Sequence, residues 1–251
     1  MEREHRKFNV DDMNSNLKLK PAGRIRFSKL NRKDARMERK DIQDAVKFPI
    51  VEIFNSIQGE GFFTGRNATF VRLSGCNLKC PWCDTDHSAK MGQLTVTQIL
   101  EEMKKVNPEP ALVVVTGGEP TIHKLLQHLF IGIKTGFDVP PQIAIETNGT
   151  NPLMLFRLRN AGLVDLITVS PKDNMLDEFI ADSISVADEV KVVLSDVATP
   201  EIYEPMMAKH FRHNTAFIQP CSENYGPVLE FLKKNPKWRI SVQIQKVLKV
   251  F

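Results

Sequence analysis

Ala111-Leu112-Val113-Val114-Val115-Thr116-Gly117-Gly118-Glu119-Pro120 carries the reading of the fold. Ala111–Thr116 is an apolar, β-branched run, and its centre, Leu112–Val115, shows no alternation. A strand with one face in water alternates apolar and polar residues, whereas a parallel strand covered on both faces reads as a continuous apolar run. The run halts at two glycines and a proline, which is turn chemistry. Outward from it, strand-like and helical stretches take turns. Ala68–Ser74 reads as a strand, Val96–Val106 and Leu125–Lys134 as helices, and Gln142–Glu146 as a strand. Leu153–Ala161 is helical, and Leu166–Ser170, Glu189–Leu194 and Ala216–Gln219 are strands. Val228–Lys234 is helical, and Ile240–Gln245 reads as a last strand. Such alternation implies an α/β fold of βα units around a mostly parallel sheet.

Polar or glycine-rich residues follow many of these strands: Gly75-Cys76, Gly117-Gly118-Glu119, Thr147-Asn148-Gly149, Pro171-Lys172 and Pro220-Cys221-Ser222. In parallel α/β folds ligands gather outside the carboxyl ends of the strands, so five segments are expected on one rim. Singly each is an ordinary turn, and Pro171 and Pro220 also fit as strand terminators. Their convergence is what carries weight. Paired glycines at 117–118 would let the backbone approach a ligand closely.

The chain has 251 residues, enough for one substantial domain. No apolar run is long enough to span a bilayer, and the charged N-terminus lacks a signal-peptide core, so the expected compartment is the cytoplasm. The net charge of +4 is unevenly placed. Residues 1–48 hold 14 Lys/Arg and 8 Asp/Glu, a local +6, against 20 and 22, a local −2, in the remainder. The overall basicity is therefore no sign that the core binds nucleic acid. Residues 1–47 show dense charge without a sustained hydrophobic period and read as a basic extension, partly ordered or disordered, with a short helix expected over Asp34–Val46. The competing reading is a docking arm for an acidic partner or nucleic acid. Residues 48–251 read as the main domain.

Three of the four cysteines stand close together, in Gly75-Cys76-Asn77-Leu78-Lys79-Cys80-Pro81-Trp82-Cys83-Asp84-Thr85, and Cys221 is far away. In a reducing compartment such clustering points to metal ligands rather than disulfides. Soft thiolates suit zinc or iron–sulfur clusters. A closed zinc site takes four ligands and an ordinary 4Fe–4S cluster four cysteines. Three thiolates on four irons leave one iron open, able to chelate the amino and carboxylate groups of a methionine moiety. The other reading is a zinc loop completed by His87 or Cys221; Cys221 also fits as a small buried thiol.

Cys-x3-Cys-x2-Cys with Trp82 directly before the last cysteine resembles the signature of the radical S-adenosylmethionine (SAM) superfamily. Upstream, Glu52-Ile53-Phe54-Asn55-Ser56-Ile57-Gln58-Gly59-Glu60-Gly61 puts an amide and a carboxylate on a glycine-flanked loop. Such groups can read the lactam and amino edges of a pterin or guanine-like ring. Arg72 shares a strand face with Phe70 and Ser74, four residues before Cys76. A guanidinium there is a costly buried charge, a carboxylate clamp or a surface strand residue. Ser-Ile-Gln-Gly-Glu-Gly (56–61), Arg-Leu-Ser-Gly-Cys (72–76), Cys-Asp-Thr (83–85), Thr-Gly-Gly-Glu-Pro (116–120), Glu-Thr-Asn-Gly (146–149) and Ser-Pro-Lys (170–172) together resemble the 7-carboxy-7-deazaguanine synthase family. The likeness runs from roughly residue 50 to the end in content, order and spacing.

That resemblance implies an incomplete (partial) TIM-like βα barrel, a 4Fe–4S cluster on Cys76, Cys80 and Cys83, SAM, Mg2+, an external one-electron reductant such as flavodoxin or ferredoxin, and a homodimer. It implies a carbon–nitrogen lyase of queuosine-type deazapurine biosynthesis. The substrate would be 6-carboxy-5,6,7,8-tetrahydropterin and the product 7-carboxy-7-deazaguanine, with ammonia lost. The cluster would pass one electron to the SAM sulfonium, and the resulting adenosyl radical would take a substrate hydrogen, so no catalytic residue is expected beyond cofactor-borne chemistry. Carried over residue by residue, Trp82, Cys83, Asp84, Gly118, Glu119, Ser170, Pro171, Lys172, Gln219, Pro220, Cys221 and Ser222 would line SAM. Ile57, Gln58, Gly59, Glu60, Arg72, Thr116 and the carboxylate of Phe251 would bind substrate. Thr85 would ligate Mg2+, with substrate oxygens and water completing its shell. Two other readings compete: a radical SAM activase that places a glycyl radical on a partner protein, and a zinc-stabilised nucleic-acid-binding module.

Overall fold

The computed structural model describes residues 40–88, 90–172, 178–194, 200–211, 215–221 and 225–250. Ser222, Phe251 and nearly all of the basic extension, including residues 34–39 of the expected helix, lie outside the described residues. Residues 40–45 are helical (α1). The strands are β1 (Lys47–Ile57), β2 (Asn67–Leu73), β3 (Gly92–Thr95), β4 (Leu112–Gly117), β5 (Gln142–Thr147), β6 (Leu166–Val169), β7 (Glu189–Leu194), β8 (Ala216–Pro220) and β9 (Trp238–Ile240). Helices α2 (Val96–Val106), α3 (Leu126–Thr135), α4 (Pro152–Asn160), α5 (Glu178–Val186), α6 (Glu204–His210) and α7 (Gly226–Lys234) alternate with them from β3 onward, and α8 (Ile244–Leu248) follows β9.

These strands form one sheet in the order β3-β1-β2-β4-β5-β6-β7-β8-β9. From β2 to β9 every neighbouring pair is parallel, while β1 runs antiparallel to β2 and β3. The sheet is mixed, mostly parallel and open, as an incomplete barrel requires. β1 and β3 are additions that the βα rhythm did not announce. β1 enters as a hairpin arm, closed by Gln58 N donating to Arg66 O at 2.7 Å and Gly65 N to Gln58 O at 2.8 Å.

Strand parity sorts the apolar run into two cores. Val113 and Val115, with Ile143, Ile145, Ile167, Val169, Val190 and Val192, pack under the helices. Leu112 and Val114 face the other way, with Ala68, Phe70, Ala144 and Leu166, and Phe54 and Phe63 cover them. Both faces of β4 are therefore dry, which is why its sequence does not alternate. α2 is set by a capping box in which Thr95 Oγ1 accepts from Gln98 N and Gln98 Oε1 accepts from Thr95 N.

The last strand expected over Ile240–Gln245 is only partly a strand. Pairing with β8 stops at Ile240, Ser241 N donates to Ile218 O, and the chain then turns into α8. The period-two pattern Ile240, Val242, Ile244 suggested a ladder, but tertiary bonds at Gln243–Gln245 decide otherwise.

Ile145 is fully buried at the middle of the outer core. Ile145→Ala is expected to lower the unfolding free energy by about 2–5 kcal/mol, which urea denaturation checks.

Candidate active site

The face that is apolar along the strands turns polar at their carboxyl ends. Two residues beyond Phe70 on β2 stands Arg72; beyond Val114 on β4, Thr116; beyond Ala144 on β5, Glu146. Arg72 and Thr116 are register partners. With Lys191 of β7 and Gln219 of β8 they line one cleft of about 390 Å³. The same cleft takes in Gln58, the three clustered cysteines, Ser170 and Lys172.

The cysteine loop is held by glycine contacts. A Cβ on Gly117 would sit 2.1 Å from the Leu73 carbonyl oxygen, and one on Gly118 would sit 2.1 Å from Gly75 O and 3.0 Å from Cys76 Cβ. Only glycine admits this approach, and Gly117 has a φ of +148° besides. Gly118 N donates to Leu73 O at 3.1 Å, and Glu119 N donates to Gly75 O at 2.9 Å. The strand end of β4 is thus stapled to the residues that launch Cys76.

Glu119 completes the staple. Its fully buried carboxylate accepts from Thr121 N, Thr121 Oγ1, Thr147 Oγ1 and Asn148 N. Asn148 Nδ2 in turn donates to Asn77 Oδ1 at 3.0 Å, inside the cysteine loop. Charge-assisted bonds to a carboxylate are the strong ones, so one side chain ties the ends of β4 and β5.

Within the loop, Cys83 N donates to Cys80 O at 3.1 Å, and Leu78 N to Cys76 Sγ at 3.4 Å. Cys76 and Cys80 are half-buried, Cys83 is exposed, and none of the cysteines is in a disulfide. Among the described residues no three His, Cys, Asp or Glu side chains gather around a point that suits one metal ion. A cubane makes no such demand, because each thiolate binds a different iron. Three thiolates on one short loop facing a cleft fit that cluster.

A second set of charges lines the same cleft. Lys191 and Glu60, both nearly buried, form an ion pair. Glu60 Oε1 also accepts from Gln243 Nε2 at 2.8 Å and Gln245 Nε2 at 3.3 Å. Burial alone would raise the Glu60 carboxyl, but Lys191 outweighs it and holds it below the ordinary value. Burial alone would likewise depress the Lys191 ammonium, and Glu60 and then Glu146 hold it above the usual lysine value instead. Glu146 accepts from Gln58 Nε2 at 3.0 Å and Thr116 Oγ1 at 2.9 Å. Lys172 is pushed down by burial and next by the charge of Lys191; it donates to Ser170 Oγ at 3.0 Å and lies 5.1 Å from the centre of the Trp82 ring.

The chain is similar to known proteins over most of its length. A family model described as Radical SAM superfamily matches residues 70–183. The 7-carboxy-7-deazaguanine synthase of Bacteroides thetaiotaomicron is 38% identical over 208 residues, which cover 80% of this chain and 97% of the relative. The chain belongs to the 7-carboxy-7-deazaguanine synthase family. The Escherichia coli synthase is 30% identical, with 82% of this chain and all of the relative covered. The crystal structure of QueE from Escherichia coli aligns with a TM-score of 0.63 at 29% identity, covering 82% of this chain and 98% of that one. Membership favours the synthase over the activase and the zinc-stabilised module.

Most synthase-type residues expected from the sequence do line the cleft: Ile57, Gln58, Gly59, Glu60, Arg72, Cys76, Cys80, Trp82, Cys83, Asp84, Thr85, Thr116, Gly118, Ser170, Lys172, Gln219, Pro220 and Cys221. Glu119 and Pro171 are not among the lining residues. The Glu119 carboxylate, expected at SAM, accepts four hydrogen bonds from protein donors. Arg72 is no isolated buried charge: its Nε donates to Glu52 across the β1–β2 pair at 2.7 Å. Sequence reasoning missed Lys191, Gln243, Gln245, Lys246 and the importance of Glu146. The signal for Lys191 was a lysine set between Val190 and Val192 inside a strand. Lys246 bridges from α8 to Asp84 at 2.9 Å, but both side chains are about half exposed, so this tether adds little stability.

Removing Lys191 leaves Glu60 buried and unpaired. Lys191→Met is expected to lower stability by about 3–5 kcal/mol at neutral pH. The Glu60 carboxyl is depressed in the folded state, so its contribution is complete above the ordinary carboxylate value and lost as pH falls through the folded one; the raised Lys191 loses its contribution only in strong alkali. The deficit of the variant should therefore narrow as the solution is acidified and Glu60 takes up a proton, which urea unfolding at neutral and mildly acidic pH measures.

Proposed function

We propose that this chain is the radical SAM enzyme that converts 6-carboxy-5,6,7,8-tetrahydropterin into 7-carboxy-7-deazaguanine, losing ammonia, in deazapurine biosynthesis. The observation that carries the reading is one cleft lined by the cysteine triad and by Gln58, Arg72, Thr116 and Glu146. Cys76, Cys80 and Cys83 would hold the 4Fe–4S cluster, which when bound supplies the electron that cleaves SAM.

The protein's own work is binding and orientation. Gly118, Ser170, Lys172 and Gln219–Cys221 form the SAM side, where the glycine backbone offers close approach without a side chain. Arg72 keeps guanidinium N–H donors beyond the Nε that serves Glu52, and these clamp the substrate carboxylate. Gln58, Thr116 and Glu146 already form a fixed chain of donors and acceptors, which suits the amino and lactam edges of a pterin. Lys191 keeps Glu60 ionised, hence acceptor-only, at the same wall. Thr85 lines the cleft beside Asp84 and offers Mg2+ one oxygen, substrate and water providing the others. Ser222 and Phe251 join the SAM and substrate sets on the resemblance alone.

The reductant is a small one-electron carrier of the flavodoxin or ferredoxin type, the assembly a homodimer and the compartment the cytoplasm. Among the described residues no helix is long and apolar enough to cross a membrane.

Anaerobic incubation of the reconstituted full chain with SAM, reductant and the carboxypterin tests the reading. Mass spectrometry should find the deazaguanine acid with SAM regenerated. SAM cleavage without that product would keep the radical chemistry and reject the substrate.

A further inference from the structure

One imidazole beside the triad has no part in the chemistry described so far. His87 Nε2 lies 3.3 Å from Cys83 Sγ, and Nδ1 is buried without a hydrogen-bond partner among the described residues. The main chain of His87 is anchored: its carbonyl accepts from Gly75 N at 3.3 Å and from Ser74 Oγ. Both donors belong to the strand end that launches Cys76. Four residues after Cys83, His87 is therefore brought back onto the triad, and it lines the same cleft.

The chemistry of this contact is one-sided once iron is bound. A cysteine thiolate on iron has lone pairs and no proton, so across 3.3 Å only the ring can donate. The tautomer of a histidine is set by the bonds its two nitrogens make. Nδ1 has no partner to claim a proton, so the sulfur selects the Nε2–H form. Hydrogen bonds to ligand sulfurs withdraw electron density and favour the reduced cluster.

We propose that His87 donates an Nε2–H hydrogen bond to the Cys83 sulfur of the bound cluster and raises its reduction potential. The inference rests on the assignment of the cluster to Cys76, Cys80 and Cys83. His87 acts through Cys83 and is a positioning residue, not a catalytic one. It is also not a fourth ligand, since an imidazole on the open iron would occupy the place SAM needs.

The test uses the full chain, anaerobically reconstituted, as wild type, His87→Phe and His87→Gln. Iron and sulfide content are measured first, then the midpoint potential by a redox titration followed by electron paramagnetic resonance. All three proteins should carry a full cluster. His87→Phe should shift to lower potential by about a tenfold fall in the ratio of reduced to oxidised cluster, 59 mV for one electron. His87→Gln, which keeps an N–H donor, should stay nearer the wild type. An unchanged midpoint in His87→Phe, or loss of iron from it, would overturn the proposal. Wild type labelled with 15N-histidine gives a readout independent of variant folding: a weak nitrogen coupling to the reduced cluster is expected. No coupling, or the strong coupling of an iron-bound nitrogen, would overturn it. Failure of the wild type itself to take up iron would instead overturn the cluster assignment beneath it.

Discussion

The site depends on one steric constraint: Gly117 and Gly118 lie against the backbone of Leu73–Cys76 at a distance no side chain can share. Two main-chain hydrogen bonds lock that contact. It sets where Cys76 leaves β2, and therefore where the whole thiolate loop stands relative to the rim. The loop itself has little regular structure of its own, so its placement is borrowed from β4. Glu119 extends the same contact to β5 through Thr147 and Asn148, and Asn148 reaches back to Asn77. Three strand ends and the cysteine loop are thus one hydrogen-bonded unit, and a change in any of them is felt by the others.

The cleft that holds the thiolates also carries fixed charge and fixed hydrogen bonds. A lysine and a carboxylate in a nearly buried pair are expensive to desolvate, and such a pair is weak evidence of stability for its own sake. Here its value lies in holding Glu60 ionised and in place, with Gln243 and Gln245 completing the oxygen that Lys191 does not reach. Gln58, Thr116 and Glu146 form a similar closed set beside it. Polar groups so arranged need no rearrangement when charge shifts in a bound molecule.

Much of this was legible in the sequence, for physical reasons that differ by element. β4 was legible because burial on both faces leaves an unbroken apolar run. The rim was legible because turn residues must follow parallel strands. The thiolate loop was legible because its spacing is local. Parity placed Arg72 on the face of Phe70 and Ser74, but its partner Glu52 lies on β1, an antiparallel strand outside the βα rhythm. The hydrogen bonds of Glu119 were not legible, because nothing local shows that donors from Thr121, Thr147 and Asn148 converge on it. Lys191 stood unnoticed in Glu189–Leu194, since a strand does not tell which loop carboxylate will face it. Ile240–Gln245 held as a strand only at Ile240, because a period of two describes strand and irregular chain alike when contacts to Gly59 and Glu60 set the path.

The triad would leave one iron for SAM, on a rim built by the glycine staple. Mössbauer spectroscopy of the chain reconstituted with 57Fe, before and after SAM, tests it most directly. A cluster of four irons is expected, in which one site alone changes its isomer shift when SAM binds. Four irons indifferent to SAM, or a mononuclear iron signal, would contradict it.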